Sequence, residues 1–153
     1  MMNIANSPSP ALPVADLPEG QKSDKFRMLR DVRILDLTTS IAGPYATMLL
    51  ADFGAEVIKV ERQSGDDARH WGPPFLDGES LWFLSVNRNK KSLRLDFTAP
   101  DGRQVLSDLL DKVDVVITNQ LAGVQAKLGI DAASTRRARP GLIHVSLTGF
   151  GLD

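Results

Sequence analysis

The chain has 153 residues, 42% of them hydrophobic and 24% charged, with a formal net charge of −1 and no cysteine. No run of about 18 apolar residues is present, which excludes a membrane-spanning helix. The lack of cysteine excludes disulfides, thiolate metal sites and a cysteine nucleophile. Two histidines, His70 and His144, are too few for a histidine-rich metal centre, and a pI near 6.1 argues against a dedicated nucleic-acid binder.

The first 24 residues hold Pro8, Pro10, Pro13 and Pro18, four of the nine prolines, and show no sustained periodicity. Such a segment buries too little apolar area to offset its ordering entropy. Residues 1–30 are therefore expected to form a disordered extension, and residues 31–153 a folded domain. No basic stretch leads into a long apolar one, so no secretory signal is expected. The chain is accordingly expected to be cytoplasmic.

From Val32 onward, strand and helix signals alternate. Residues 32–37 form a β-branched and leucine run that stops at Thr38-Thr39-Ser40. Gly43-Pro44 then opens a helix, with proline where a missing N–H is harmless. Tyr45, Met48, Leu49 and Phe53 share one helical face, widened by Ala46, Leu50 and Ala51, which predicts a deeply buried helix. Gly54 falls where a left-handed C-cap is wanted, and residues 56–61 form a second strand, completing a βαβ unit.

A loop rich in Gly65, Gly72, Pro73, Pro74 and Gly78 follows. Leu93, Leu95 and Phe97 alternate with Arg94 and Asp96, the period of a half-buried strand. Thr98 is expected to cap the next helix, with Pro100 and Asp101 in its first turn and Val105, Leu106, Leu109 and Leu110 as its apolar stripe. Residues 114–118 read as a strand covered on both faces. A short helix over 124–128 ends at Gly129, Asp131 caps another, and residues 142–147 form the last strand. The pattern predicts an α/β fold with a doubly wound, mainly parallel, Rossmann-like sheet.

Ligands of such sheets sit beyond the carboxyl ends of the strands. Those ends carry Thr38-Thr39-Ser40, Glu61-Arg62, Asn119-Gln120 and Thr148-Gly149, and the helix start at Gly43-Pro44 adds positive dipole character. These groups suit a phosphate-bearing ligand, yet the same residue types are common in ordinary turns, so both readings stay open. Glu61 mimics the ribose-binding acid of a dinucleotide site. The G-x-G-x-x-G loop is missing, however, with only Gly43 in place, which disfavours NAD or NADP.

Other conspicuous residues have plain readings. His144 is expected to be a packed strand residue, and His70 a loop residue. Arg136, Arg137 and Arg139 suit a solvated helix end. The run Asn87-Arg88-Asn89-Lys90-Lys91 fits either a solvated turn or electrostatic help for phosphates. Trp71, Trp82 and Phe83 fit a core or interface better than a stacking platform.

The segment 32–38 followed by Ala42-Gly43-Pro44 resembles the opening of the family III CoA-transferases, which include formyl-CoA and carnitine CoA-transferases and α-methylacyl-CoA racemase. The resemblance continues through residues 50–62, Ser64-Gly65-Asp66, Asp67-Ala68-Arg69, Trp71-Gly72-Pro73-Pro74 and Asn87–Leu93. Asp114–Ile117 with Asn119, and Ser146–Gly151, complete the ordered set over roughly 120 residues.

The resemblance implies transfer of CoA between acyl-CoA and a carboxylic acid, with an Asp attacking the thioester to give a mixed anhydride. A racemase subtype would use an acid/base pair instead. The resemblance implies CoA as substrate with no permanently bound cofactor and no metal. It assigns the pantetheine and acyl end to Ile41 and Ala42, and the nucleotide end to Arg62. Leu95, Asp96, Phe97 and Thr98 occupy a strand end that presents backbone groups to CoA. Asn119, Gln120 and Leu121 match a loop that usually reads Asn-Phe-x-Pro-Gly. Lys127 stands where an arginine is usual, and Thr148, Gly149, Phe150 and Gly151 would face the thioester.

The family's nucleophilic Asp lies further along than Asp153, so no catalytic residue is assigned in this chain. The chain is thus expected to be the CoA-binding half of the fold, incomplete relative to the whole family architecture. It would act as a homodimer or paired with a C-terminal half, without nucleic-acid or membrane partners. The alternative is a truncated, non-catalytic binding module of the same fold.

Overall fold

The computed structural model describes residues 27–151. The expected extension falls outside the described residues except for 27–30. There, Leu29 donates its N–H to the Phe53 carbonyl and packs against the core, so packed structure reaches back before Asp31.

Strand β1 (Arg33–Leu37) runs into helix α1 (Ala42–Asp52) and then β2 (Glu56–Glu61). Gly54, at φ 100°, ends α1 as expected, with Gly54 N–H on Ala51 O and Ala55 N–H on Leu50 O forming a Schellman motif. Gly43 faces Thr38 so closely that any Cβ would collide with that side chain. Glycine here lets the helix start against the strand end, the packing role of the last glycine in dinucleotide folds.

The excursion after β2 holds more structure than a loop. A 3₁₀ turn (Asp67–His70) is capped by Asp66, followed by a small hairpin of β3 (Phe75–Leu76) and β4 (Glu79–Ser80). Its turn residues Asp77 and Gly78 both have positive φ, as an Asp-Gly hairpin turn requires. Helix α2 (Leu81–Asn87) follows, with Ser80 as N-cap.

Strand β5 spans Lys90–Arg94, earlier than the expected 93–97. Its parallel ladder with β2 runs from Val57↔Lys90 to Glu61↔Arg94 and closes with Leu95 N–H on Glu61 O. Beyond Glu61 no neighbouring strand remains to pair with, although Leu95 is buried and Phe97 packs on the core as their alternation predicted.

Helix α3 (Pro100–Leu110), β6 (Val115–Thr118), α4 (Ala122–Leu128), α5 (Ala132–Ala138) and β7 (Ile143–Ser146) complete the described chain. Gly129 ends α4 at φ 66°, and Asp131 caps α5 through the N–H groups of Ala133 and Ser134. Thr98 does not cap α3. The N-cap is Ala99, and the Thr98 N–H and hydroxyl both donate to Asp96 Oδ1 in a tight local turn.

The sheet is parallel in the order β5-β2-β1-β6-β7. One face packs Leu35, Leu37, Val60 and Val116 against Leu106 and Leu110 of α3 and against Ile130. The other packs Ile34, Val57 and Ile117 against Ala51 of α1. This is the doubly wound α/β arrangement. The order of strand addition reverses between β1 and β6, whose carboxyl ends therefore open a crevice.

Helix α1 is less enclosed than its composition predicted. Gly43, Pro44, Thr47, Met48 and Ala51 are buried, whereas Ile41, Tyr45, Leu49 and Phe53 form an exposed stripe at four-residue spacing. Apart from Met48, the buried residues are small and allow close approach, while Ile41, Tyr45, Leu49 and Phe53 turn outward.

Candidate functional site

A cavity of about 490 Å³ lies beyond the carboxyl ends of β1, β2, β5 and β6, closed by α3 and α4. Arg62, Phe97, Thr98, Gln120 and Lys127, five residues singled out from the sequence, line it together with Thr39. Others lie outside this lining. Leu95 belongs to the core, and Asp96 is engaged with Thr98. Leu121 is 79% exposed at the start of α4, while Ile41 and Ala42 are exposed at the start of α1. Thr148, Gly149, Phe150 and Gly151 are exposed after β7, where Thr148 Oγ1 accepts from Gly151 N–H.

The loop after β1 is held atom by atom by side chains from other strands. Thr38 N–H and hydroxyl donate to Asp36 Oδ1 at 2.9 and 2.5 Å, and Lys59 Nζ donates to Thr38 O at 2.8 Å. Asn119 brackets Thr39, accepting from its N–H and donating to its carbonyl, both at 3.0 Å. Asp66 Oδ1 accepts from Ser40 N–H at 3.1 Å. Ser40 has φ 71°, a conformation a serine adopts at a cost, and these bonds offset it. Asn119, assigned to CoA from the sequence, thus has its amide committed to the backbone across the crevice.

Two buried ion pairs underlie that loop, and sequence reasoning missed both. Lys59 Nζ lies 2.8 Å from Asp66 Oδ2, and Lys90 Nζ lies 3.0 Å from Asp36 Oδ2, with all four side chains 0–2% exposed. Lys90 also donates to Pro44 O and Asn87 Oδ1, each at 2.8 Å, so its three protons are used. Burial lowers its ammonium from the usual 10.5 to about 8, against the opposing pull of Asp36. Burial alone would raise the Asp36 carboxyl. Lys90, Lys59 and the hydroxyls of Thr38 and Thr47 outweigh it and hold the group below its ordinary value. The only sequence signal was Asp36 and Lys59 interrupting otherwise apolar strands; the ladder places them side by side.

Glu61 is likewise committed inside the protein. Its Oε2 accepts from Arg69 Nε at 2.7 Å and Asp66 N–H at 3.0 Å; its Oε1 accepts from Arg69 Nη2 at 2.8 Å and Ser92 Oγ at 2.9 Å. Burial opposes ionisation, but these four bonds bring the carboxyl from 4.5 down to about 2. Arg69 also stacks 3.7 Å over the Phe83 ring. Glu61 is therefore no ribose acceptor, which removes the one dinucleotide-like feature of the sequence.

The basic run at 87–91 is also internally compensated. Arg88 and Asn89 hold Asp52, Lys90 joins Asp36, and Lys91 pairs with Glu56. Arg139 reaches Asp111 and Ser107, and His144 Nε2 donates to Ile130 O at 2.8 Å, a packing role. The carboxylates bordering the cavity, Glu61, Asp66 and Asp67, all have cationic partners: Arg69, Lys59 and Arg62 respectively. No cluster of three metal-ligating side chains occurs among the described residues.

Residues 29–153 match the family model described as CoA-transferase family III. The chain is 47% identical over 129 residues to the succinyl-CoA:glutarate CoA-transferase of Mus musculus, covering 84% of this chain and 30% of that protein. It is 46% identical over 128 residues to the succinyl-CoA:mesaconate CoA-transferase of Haloarcula hispanica, covering 80% of this chain and 32% of that protein. A solved structure of a CAIB/BAIF family protein from Brucella suis superposes with a TM-score of 0.80 at 39% identity, over 84% of this chain and 35% of that one. The chain thus spans about a third of the length of these relatives. With a matching motif order, a matching fold and a family match over nearly all described residues, this chain belongs to CoA-transferase family III.

Proposed function

We propose that this chain supplies the CoA-binding part of an enzyme that moves CoA between an acyl-CoA and a carboxylic acid. The observation that carries the reading is the cavity at the sheet's reversal point, where Arg62, Phe97, Thr98, Gln120 and Lys127 converge from four separate segments. Five relatives at 42–47% identity are named for succinyl-CoA paired with glutarate, mesaconate or D-citramalate, which favours a short dicarboxylic acyl group.

In the reaction, a carboxylate oxygen attacks the thioester carbonyl, the C–S bond breaks, and CoA leaves as thiolate, leaving a mixed anhydride. Since the cavity carboxylates are already ion-paired, the nucleophile comes from polypeptide outside the described residues. This chain's residues bind and orient CoA, and the pinned Thr38–Ser40 loop keeps the crevice in shape before ligand arrives. The working form is a pair, either of two copies or of this chain with further polypeptide, in keeping with the exposed α1 stripe.

Calorimetric titration with CoA tests the reading. The 153-residue chain is expected to bind CoA, and Arg62→Ala to weaken it several-fold. Failure of CoA and succinyl-CoA to bind would remove the reading. Full succinyl-CoA to glutarate turnover by this chain alone would refute the external nucleophile.

A further inference from the structure

The ladder between β1 and β6 ends at Leu37↔Thr118, where the two strands part and the crevice opens. Just beyond, the Asn119 side chain takes the place of the next rung. Its Oδ1 accepts from Thr39 N–H and its Nδ2 donates to Thr39 O, both at 3.0 Å. A primary amide offers an acceptor and a donor as a peptide group does, so it satisfies both backbone groups of Thr39 where no strand reaches them. Neighbouring residues are held from elsewhere, Thr38 by Asp36 and Lys59 and Ser40 by Asp66. Asn119 supplies both hydrogen bonds that Thr39 makes among the described residues. Thr39 lines the cavity, whereas Asn119 does not. With its N–H and carbonyl taken, Thr39 has its hydroxyl left for a ligand, and that hydroxyl has no protein partner among the described residues.

Resting on the CoA reading above, we propose that the Thr39 hydroxyl hydrogen-bonds bound CoA and that Asn119 is its positioning residue, acting on the ligand through Thr39 alone. An Asn119 that let go of Thr39 to contact CoA directly would leave two part-buried backbone groups without a partner. A side-chain clamp also suits this place in the fold. Backbone pairing of Thr39 would carry the β1–β6 ladder further and close the crevice, whereas an amide fixes the strand end and leaves the crevice open.

Calorimetric titration of CoA into the 153-residue chain and into Thr39→Val, Asn119→Ala and the double variant closes a double-mutant cycle. Thr39→Val is expected to weaken CoA about fivefold and Asn119→Ala about tenfold, with the double variant no weaker than Asn119→Ala. Hydrogen exchange supplies a second readout. In the free chain Asn119→Ala should speed exchange of the Thr39 amide, and added CoA should slow it again. Asn119→Asp keeps the acceptor but, when ionised, sets an oxygen against the Thr39 carbonyl. Relative to the parent it should bind CoA several-fold more weakly at about pH 8 and approach parental affinity at about pH 5, where a protonated carboxyl again offers a donor and an acceptor. Additive losses in the cycle, or parental exchange of the Thr39 amide in free Asn119→Ala, would overturn the proposal. Equal binding of CoA by the parent and Thr39→Val would sink this proposal alone, whereas failure of the parent to bind CoA would sink the reading beneath it.

Discussion

Glu61→Gln removes a charge whose surroundings were built for a carboxylate. Its two oxygens accept four bonds, two of them from the Arg69 fork. An amide in that place presents an NH₂ to one pair of donors in either orientation and leaves Arg69, 19% exposed, with only the more exposed Glu79 at 3.3 Å as a paired carboxylate. The fall of the Glu61 carboxyl from 4.5 to about 2 corresponds to about 3 kcal/mol of stability at neutral pH. Breaking a buried pair by removing one partner costs a similar amount, roughly 3–5 kcal/mol.

The pH dependence follows from the sign of that shift. Between about 2 and 4.5 the unfolded chain binds more protons at this position than the folded one. The contribution is therefore complete above about 4.5 and fades as pH falls towards 2, with about 1 kcal/mol gone by about pH 3.5. Urea unfolding of both proteins, at neutral pH and in mild acid, measures this directly. The variant should unfold at lower urea with an unchanged slope, and the gap to the parent should narrow in acid. Equal midpoints at neutral pH, or a gap that stays constant in acid, would refute the reasoning.

Neighbouring lysines on β5 should behave differently: Lys90→Met, which strips a buried pair from Asp36, should cost about 3 kcal/mol in urea unfolding. Lys91→Met, which loses an exposed pair with Glu56, should cost under about 1 kcal/mol in the same assay. Gly102→Ala would drive a Cβ into the Asp96 carbonyl where α3 meets the cavity loop, so its melting should report a loss of about 2 kcal/mol or more. Leu49→Glu, at the centre of the exposed α1 stripe, should shift concentration-dependent association towards monomer in light scattering while leaving the melting temperature nearly unchanged; a parent that stays monomeric at all concentrations would refute that role.

Local chemistry in the sequence was enough to establish the order and kind of the main elements. Strand runs at 32–37, 56–61, 114–118 and 142–147, glycine stops at Gly54 and Gly129 and the Asp131 cap each act within a few residues of themselves. The Asp-Gly turn and the Ser80 cap were equally local signals, yet they sit among prolines that masked the small hairpin and α2. Motif order likewise pointed to the family and to five residues that meet in one cavity.

What the tertiary structure alone decided is which charges are free. Lys90 and Asp36 are 54 residues apart, and Asn119 and Thr39 are 80 apart. No local pattern reveals that such groups neutralise or pin one another. A buried charge must find a partner wherever the fold brings one, so Glu61, Lys59 and Lys90 were consumed by the scaffold. Arg103, unremarkable on a helix face in the sequence, lines the cavity with no carboxylate partner among the described residues.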